Sequence, residues 1–299
     1  MTSIELIAPA KVNLFLKVLN RRRDSYHNIL TIFERISISD RVKITRSARG
    51  IEIFSDRFIT RDKKANLAYK AARLLMDAKG IKGGVRISIR KRIPIGAGMG
   101  GGSSDGAAVL KGMNSLFSLG IGRKALMRLG RRLGADIPFF LMDKPFALGR
   151  GRGDRLLDAR MKRELWHLVV YPGFSMSTRK SYCAFSRRPG RAATCLTRKG
   201  GDAKINPLLR NLKSFDAVES MLYNDLGDIA ISQNRVIGGI IERLASSLGK
   251  KAIVSGSGPS VFCLYRARKE AERARRKLLD SVPSAKRKGW QVFVAGTLF

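Results

Sequence analysis

The most chemically suggestive part of the sequence is a glycine-rich stretch whose spacing predicts a phosphate-binding loop. The stretch reads PIGAGMGGGSSD and lies between a predicted strand and a predicted helix. Glycine has no Cβ, so backbone N–H groups can turn toward one point and an anion can come close to them. The helix that follows begins with free N–H groups and a partial positive charge. The residues predicted to bind phosphate are Pro94, Ile95, Gly96, Ala97, Gly98, Met99, Gly100, Gly101, Gly102, Ser103 and Ser104.

Other interpretations of the glycine stretch fit the sequence less well. A flexible linker or a tight turn is the simplest alternative, but linkers do not usually join a regular strand directly to a regular helix. The stretch lacks the GK[ST] ending of a Walker A loop. It also lacks the acidic residue about 20 positions later that reads a ribose in dinucleotide-binding folds. A phosphate loop of another kind is therefore the prediction.

Two charged residues in apolar surroundings are the candidates for acid–base and electrostatic catalysis. Asp136 lies in GADIPFF, where a partly desolvated carboxylate must be paired, functional, or the N-cap of a helix before Pro138. Lys11 lies in the strand-like N-terminal segment. It either points inward toward a negative partner or is an exposed strand lysine. Asn13 follows two positions later and should share the strand face of Lys11.

Aromatic and small residues elsewhere could bind a nucleobase or further phosphate groups. Tyr26 and His27 form a pair in which a ring can stack on a base and a polar group can read its edge, or they form a packed turn. The segment Ser255–Gly258 is a second small-residue loop, for which a plain strand turn is the alternative. Asn66 precedes an amphipathic helix and is predicted to be its N-cap.

Hydrophobic periodicity and turn signals predict the elements that position these residues. Their mixed order favours an α+β fold in two lobes. A turn at Ser39–Asp40 is predicted to separate two strands, and the Arg/Gly/Lys-rich segment Arg187–Lys204 is predicted to be a solvated loop. Strands are predicted at Ile4–Ala8, Val12–Val18, Asn28–Ile38, Arg41–Arg46, Val85–Ile89, Pro145–Leu148, Arg155–Leu157, Trp166–Tyr171, Ala252–Val254, Ser260–Tyr265 and Gln291–Ala295. Helices are predicted between Asn66 and Lys79 and at about Ser103–Phe117, Arg123–Leu133, Asn206–Leu212, Val218–Ile229, Gln233–Leu248 and Arg268–Asp280.

The composition bounds the class of protein. The 299 residues include 59 Lys and Arg against 23 Asp and Glu, a net charge of +36, and 44% are hydrophobic, enough for a full core. The charge points to a polyanionic partner, an acidic substrate or an arginine-rich composition. Three widely spaced cysteines and two histidines argue against a disulfide scaffold and a Cys/His zinc site. The apolar runs are too short for a membrane helix, so a reduced, cytoplasmic protein is expected.

Several motifs together resemble the GHMP small-molecule kinases. The segments Ala8–Val18 (APAKVNLFLKV) and Val254–Tyr265 (VSGSGPSVFCLY) are similar to the first and third motifs of that family, and the glycine stretch is similar to the second. The segments Ser25–Val42 and Leu133–Leu141 resemble one branch, whose substrate carries a cytidine diphosphate. The resemblance implies a two-lobed GHMP kinase fold, with a ribosomal protein S5 domain 2-like N-terminal lobe at 1–158 and a ferredoxin-like C-terminal lobe at 159–299.

The resemblance also implies an activity and roles for individual residues. With ATP and Mg²⁺ as cofactors, the 2-hydroxyl of a cytidyl diphosphate derivative of methylerythritol is phosphorylated, in the non-mevalonate route to isoprenoid precursors. Asp136 is implied as the base and Lys11 as its partner, which steadies the charge on the phosphoryl group. Asn66 is implied to contact adenine. The residues implied to bind the substrate are Asn13, Tyr26, His27, Thr178, Tyr182, Ser257 and Gly258.

Alternatives remain at this stage. Tyr182 could be an ordinary helix aromatic, and Asn224–Leu226 is expected to be structural. The chain could be another GHMP kinase, acting on mevalonate or homoserine, although the Tyr26–His27 pair and GADIPFF argue against this. It could also be a nucleic-acid-binding protein on the same fold, which the charge suggests and the two glycine loops leave unexplained. The expected partner is a small molecule, with no membrane and no specific nucleic acid, in a monomer or homodimer; no metal ligands are assigned.

Overall fold

The computed structural model describes residues 1–161, 163–187, 211–283 and 288–299. The chain divides into two compact units that are not consecutive in sequence. The first unit comprises Met1–Ala10, Ile38–Ile95 and Gly100–Lys144, and the second comprises Lys11–Ser37, Gly96–Met99 and Pro145–Phe299. The lobe boundary at residue 158 remains a prediction.

Two long strands, β1 (Ser3–Arg21) and β2 (His27–Ser47), contribute residues to both units. The first unit adds β3 (Gly50–Ser55), α1 (Leu67–Lys79), β4 (Gly84–Arg90), α2 (Gly101–Leu116), α3 (Arg123–Leu133) and α4 (Ile137–Met142). The second unit adds β5 (Phe146–Arg150), β6 (Arg155–Asp158), β7 (Trp166–Tyr171), α5 (Thr178–Ser186), α6 (Phe215–Met221), β8 (Tyr223–Asn224), α7 (Gly227–Gln233), α8 (Arg235–Leu248), β9 (Ile253–Val254), β10 (Val261–Tyr265), α9 (Arg268–Ser281) and β11 (Gln291–Gly296). Short 3₁₀ turns lie at Lys63–Ala65 and Asn211–Lys213.

In the first unit, β4 is the strand that leads into the glycine stretch. It pairs antiparallel with β2, from Arg41 opposite Arg90 to Ser47 opposite Gly84, and parallel with β3. Its alternating pattern buries Val85, Ile87 and Ile89, as the sequence predicts. The helix before it has the predicted ends, with Asn66 as N-cap and Gly80, at a φ of 58°, as C-cap.

The second unit contains a four-stranded antiparallel sheet with the order β11-β7-β10-β9. Numbered along the chain, this order is 4-1-3-2, and it confirms the ferredoxin-like topology that the resemblance implies. Helices α8 and α9 pack on the sheet through Ile237, Ile240 and Leu244 and through Ala271, Ala274 and Leu278.

Some predicted elements are wrong. The expected turn at Ser39–Asp40 is absent, because β2 runs through it and the buried Asp40 carboxylate accepts hydrogen bonds from backbone N–H groups of residues 92 and 93. The single helix at Val218–Ile229 is two helices separated by β8, which pairs with β1 at Phe15 and Leu16. Strand β3 was not predicted, and helices α4 and α5 were raised only through the alternatives given for Asp136 and Tyr182.

Other predictions differ only at the ends or fall outside the structure. Helix α2 begins at Gly101, two residues before the predicted start, and α8 begins two residues after its predicted start. The loop at Arg187–Lys204, apart from Arg187, and most of the helix at Asn206–Leu212 lie outside the described residues. Among the helices of the described residues, none has the length and apolar character that a membrane span requires.

Candidate active site

The glycine stretch ends in an open helix N-terminus in the first unit. Gly100 is the N-cap of α2, with a φ of 71°, and no side chain in the described part of the chain caps the helix. The first N–H groups of α2 are therefore free of side-chain acceptors, which is the arrangement that binds an anion. Gly102 is exposed, and a Cβ placed there would meet only Leu67 Cδ1, at 3.9 Å. A ligand can thus approach this turn without displacing protein atoms.

The first glycines of the stretch pack against the second small-residue loop, in the second unit. A Cβ on Gly98 would lie 2.2 Å from the carbonyl oxygen of Ser255, so only glycine fits there. Ser255 Oγ donates to Gly98 O at 3.2 Å, and Ser260 N donates to Ala97 O at 3.3 Å. Gly256 is held in turn by Asn224, whose Nδ2 donates to its carbonyl oxygen at 2.7 Å. The two loops are therefore hydrogen-bonded to each other, and Asn224 has the structural role expected for it.

Lys11 points into the second unit and is only 4% exposed, so the exposed-lysine alternative is wrong. Its Nζ donates to Asn13 Oδ1 at 2.5 Å and to Gly98 O at 2.9 Å. Asn13 Nδ2 donates to Thr31 Oγ1 at 2.8 Å, which uses the other end of the amide. Alternation along β1 thus places Lys11 and Asn13 on one strand face as predicted, and Asn13 positions the lysine against the glycine loop.

Asp136 lies at the N-cap position of α4 in the first unit and is partly exposed. Its carboxylate makes no capping hydrogen bond, and within the described part of the chain it has no ion-pair partner. Pro138 follows inside the first turn and sets the start of the helix. Asp136 is therefore available to an incoming group rather than used to cap α4. Its pairing with Lys11 stays a prediction.

His27 and Tyr182 are brought together in the second unit, with their rings stacked at 5.3 Å between centroids. His27 is 7% exposed, and its Nδ1 has no partner in the part of the chain that the structure describes. Ser186 Oγ donates its only proton to Tyr182 O, at 3.2 Å, so His27 Nε2 must donate to Ser186 Oγ, at 2.7 Å. Nδ1 is then a hydrogen-bond acceptor. Burial lowers the pKa of His27 below its usual value, and the positive charge of Arg21 lowers it further. The lowered pKa favours the neutral ring.

Tyr26, which directly precedes His27 in the sequence, has an exposed aromatic ring. Its side chain is 53% exposed, and the guanidinium of Arg152 lies over its ring, 5.0 Å from the centroid. Arg152 is held in place by Asp154, at 3.0 Å. The packed-turn alternative therefore does not describe Tyr26. Arg152 was not predicted as a site residue, because its signal in the sequence was limited to the GRGRGD turn.

The remaining predicted residues are Thr178, Ser257 and Gly258 in the second unit and Asn66 in the first. Thr178 begins α5, and its Oγ1 lies 2.9 Å from Oγ of the buried Ser257. Gly258 adopts a φ of 80°, and a Cβ there would approach Val254 Cγ1 to 3.0 Å. Asn66, in the first unit, uses its Oδ1 to cap α1 through the N–H of Ala68, at 2.9 Å. The adenine role predicted for Asn66 is compatible with this cap and stays a prediction.

A buried ionic cluster borders the glycine stretch and was also missed from sequence. Lys91 Nζ contacts the carboxylates of Asp40 and Asp105, and all three side chains are almost fully buried. The available signal was a lysine at the end of an otherwise regular strand, directly before the glycines. This cluster belongs wholly to the first unit.

Comparisons with known proteins agree with the fold and with these motifs. Residues 66–144 match the model of the GHMP kinases N terminal domain, and residues 206–284 match that of the GHMP kinases C terminal domain. The chain is 38% identical to the 4-diphosphocytidyl-2-C-methyl-D-erythritol kinase of Pelobacter propionicus over the full length of both.

Two crystal structures extend the comparison. That of a 4-(cytidine 5'-diphospho)-2C-methyl-D-erythritol kinase superposes with a TM-score of 0.77 at 33% identity, covering 98% of each chain. A homoserine kinase from Cytophaga hutchinsonii gives a TM-score of 0.74 at 19% identity, covering 100% of this chain and 95% of its own. At that identity the second match shows the fold alone.

The chain therefore belongs to the GHMP kinases and, within them, to the family of the 4-diphosphocytidyl-2-C-methyl-D-erythritol kinases. It is an ATP-dependent small-molecule kinase with the mixed α+β fold of that family. The homoserine kinase alternative and the nucleic-acid-binding alternative are not favoured by these matches.

Proposed function

We propose that the chain transfers a phosphoryl group from ATP to the 2-hydroxyl of 4-diphosphocytidyl-2-C-methyl-D-erythritol, the compound in the names of its relatives. This reaction belongs to the non-mevalonate route to isoprenoid precursors. The observation that carries the proposal is the continuous glycine stretch, which holds the Lys11 ammonium at Gly98 and leaves the N-terminus of α2 uncapped. A fixed cation and free N–H groups on one loop suit a transferring phosphoryl group.

The ATP phosphates bind to the residues around the start of α2. Gly100–Ser104 supply free backbone N–H groups and the positive end of the helix. The open space at Gly102 leaves room for phosphate oxygens. Pro94–Met99 shape the approach to this turn, and Asn66 contacts the adenine while it caps α1.

Asp136 accepts the proton of the substrate hydroxyl while the hydroxyl oxygen bonds to the γ-phosphorus of ATP and the bond from that phosphorus to ADP breaks. Its carboxylate is supported for this role by having no capping bond to give up. Lys11 stabilises the negative charge that develops on the phosphoryl group. Because Asn13 and Gly98 fix its ammonium from two sides, little reorganisation is needed during the reaction.

The cytosine of the substrate is recognised by the aromatic residues of the second unit. Tyr26 offers an exposed ring for stacking, and Tyr182 offers a second ring packed on His27. The free Nδ1 of His27 is an acceptor, which suits the exocyclic amino group of cytosine and not the carbonyl of uracil. The hydroxyls of Thr178 and Ser257 and the backbone of Gly258 bind the diphosphate, with Asn13 next to Lys11.

Mg²⁺ enters with ATP in this proposal. In the described residues no three His, Cys, Asp or Glu side chains are grouped to hold a metal ion, which suits Mg²⁺ carried mainly by phosphates and water. Ser104 Oγ is buried at the start of α2 and has no hydrogen-bond partner among the described residues, so it and Ser103 are the protein oxygens that fit such an ion. The ion would neutralise phosphate charge during transfer. A cytoplasmic location and a monomer or homodimer complete the proposal.

The test of the assigned chemistry is Asp136→Asn, which keeps the shape of the side chain and removes the base. General base catalysis contributes roughly 10²–10⁴-fold, so kcat should fall by that order while the Kd for ATP stays within about threefold. The comparison variant is Asp143→Asn, an exposed carboxylate at the end of α4 that pairs with Lys111. An Asp136→Asn enzyme with more than about half of the parent kcat contradicts the assignment, since loss of a true base removes far more.

A further inference from the structure

The cluster that Lys91 forms with Asp40 and Asp105 joins the two ends of the glycine stretch. Lys91 Nζ donates to Asp40 Oδ2 and, at 2.8 Å, to Asp105 Oδ2. Asp40 Oδ1 also accepts from the backbone N–H groups of Arg92, at 2.6 Å, and Ile93, at 2.8 Å. These residues directly precede Pro94, whereas Asp105 lies in the first turns of α2, directly after Ser104. The cluster therefore fixes the entry and the exit of the loop to the same strand, β2.

The Lys91 ammonium also packs directly under the start of α2. A Cβ on Gly101 would lie 3.3 Å from Lys91 Nζ and 3.0 Å from Ile93 Cγ2. Glycine at this position thus lets the ammonium and the first turn of the helix come together. The first turn of α2 therefore lies beside a cation whose own position is set by two carboxylates.

Burying these charges is unfavourable for stability alone. The side chains of Lys91, Asp40 and Asp105 are 3%, 0% and 2% exposed, and two carboxylates share one ammonium. Apolar side chains of similar volume are often at least as stable as such a buried ionic group. Asp105 Oδ1 has no partner among the described residues, and burial, with the nearby charge of Asp40, raises the pKa of Asp105 to about 7. An arrangement this costly calls for a role beyond packing.

We propose that Lys91 is a positioning residue for ATP: anchored by Asp40, it holds the first turn of α2 in place and neutralises Asp105, so that this turn accepts the phosphates. The inference rests on the proposed function, in which that turn binds ATP. Without Lys91, the buried Asp105 would have no cation beside it and the two ends of the loop would be released from each other. Both effects weaken the binding of ATP more than the binding of the cytidyl substrate.

The test is calorimetric titration of ATP with Mg²⁺ into the parent enzyme, Lys91→Met, Asp105→Asn and the double variant. Loss of such supporting contacts typically costs about 10–100-fold where it has been measured at metal sites, and we expect Lys91→Met to raise the Kd for ATP by about that factor. The KM for the cytidyl substrate should stay within about threefold. Adding Asp105→Asn should recover part of the lost affinity, because it replaces the buried carboxyl group that has lost its cation with a neutral side chain of the same shape. A purely structural role predicts no such recovery and no difference between the two substrates.

Two controls keep the outcomes separate. Lys43→Met removes an exposed lysine from β2 and should leave both constants unchanged. Asp40→Asn keeps the side-chain shape but turns an amide nitrogen toward Lys91, so it tests the same link if Lys91→Met does not fold; it should also raise the Kd for ATP. If these variants fold and bind ATP like the parent while Gly102→Val binds it poorly, the positioning role is wrong. If Gly102→Val also binds ATP normally, it is the proposed phosphate site that fails.

Discussion

Lys11 and Gly98, 87 positions apart in sequence, are joined by a hydrogen bond of 2.9 Å from the lysine Nζ to the glycine carbonyl oxygen. Gly98 can make this contact because it has no Cβ, and because Ser255 holds the same carbonyl from the other side. Asn13 Oδ1 also accepts a hydrogen bond from the ammonium. The cation is therefore a fixed part of the glycine loop rather than a mobile side chain that a ligand must first order.

Replacing this cation should reduce catalysis much more than binding. Removal of one preorganised electrostatic donor typically lowers kcat by about 10²–10³-fold, and Lys11→Met should show a loss of that order. The Kd for ATP should change by less than about tenfold, because backbone N–H groups still hold the phosphates. Lys43→Met, at an exposed strand position, is the matched control in steady-state assays. A Lys11→Met enzyme whose kcat is within threefold of the parent would falsify the electrostatic role.

Gly102 offers a direct probe of where the phosphates bind. Valine at this exposed position meets no protein atom closer than 3.9 Å at Cβ, so it obstructs only a ligand. We expect the Kd for ATP to rise by about tenfold or more, equivalent to ~1.4 kcal/mol, with little change in melting temperature. Gly239→Val, in an open position on α8, controls for the helix propensity of valine. Equal ATP affinity in both variants would mean that the phosphates bind elsewhere.

The free acceptor on His27 predicts how substrate binding depends on pH. Burial lowers the pKa of His27, so the neutral ring persists in the folded protein to below pH 6.5. Protonation at lower pH converts Nδ1 from an acceptor into a donor, and the KM for the cytidyl substrate should then rise while ATP is kept saturating. Folding stability should follow the same direction: it is full above the unfolded pKa and declines as the pH falls through it toward the folded value. A KM that falls with acidification contradicts the acceptor role.

Tyr26 should contribute to the cytidyl substrate and not to ATP. Stacking of a base on an aromatic ring is worth roughly 1–3 kcal/mol in single-stranded nucleic-acid binders, which corresponds to about 5- to 150-fold in affinity. Tyr26→Ala should raise the KM for the cytidyl substrate within that range. Tyr26→Phe, which keeps the ring, should have a KM close to that of the parent enzyme. Phe58→Ala, at another exposed aromatic, is the control. Weaker binding of ATP with an unchanged KM for the cytidyl substrate would instead assign Tyr26 to the adenine site.

What the sequence could predict depended on how local the physical signal was. Helix α1 was predicted with its ends because its N-cap, Asn66, and its terminal glycine, Gly80, act on their immediate neighbours. The Ser39–Asp40 pair carries an equally local turn signal, but Asp40 satisfies its carboxylate with Lys91 and two backbone groups more than 50 positions away. Such distant partners outweigh local propensity, and one sequence does not reveal them.

The candidate site shows the same division. The glycine stretch, Lys11 and Asp136 could be singled out because residue type and neighbours suggest their chemistry. The acceptor state of His27 could not be predicted, since it follows from its hydrogen bond with Ser186, the last residue of α5, which lies 159 positions later in the chain. Arg152 was likewise hidden, because the fold and not the local sequence brings it to Tyr26.

The measurement that tests the central claim most directly is a comparison of kcat/KM for ATP-dependent phosphorylation of 4-diphosphocytidyl-2-C-methyl-D-erythritol, mevalonate and homoserine by the same preparation. A site with buried polar groups aimed at one substrate rejects analogues that lack its partners by about 10⁴-fold or more. We predict a preference of that order for the cytidyl compound, and a loss of about 10²–10⁴-fold in its turnover in Asp136→Asn. Turnover of mevalonate or homoserine as fast as the cytidyl compound, or faster, would contradict the account.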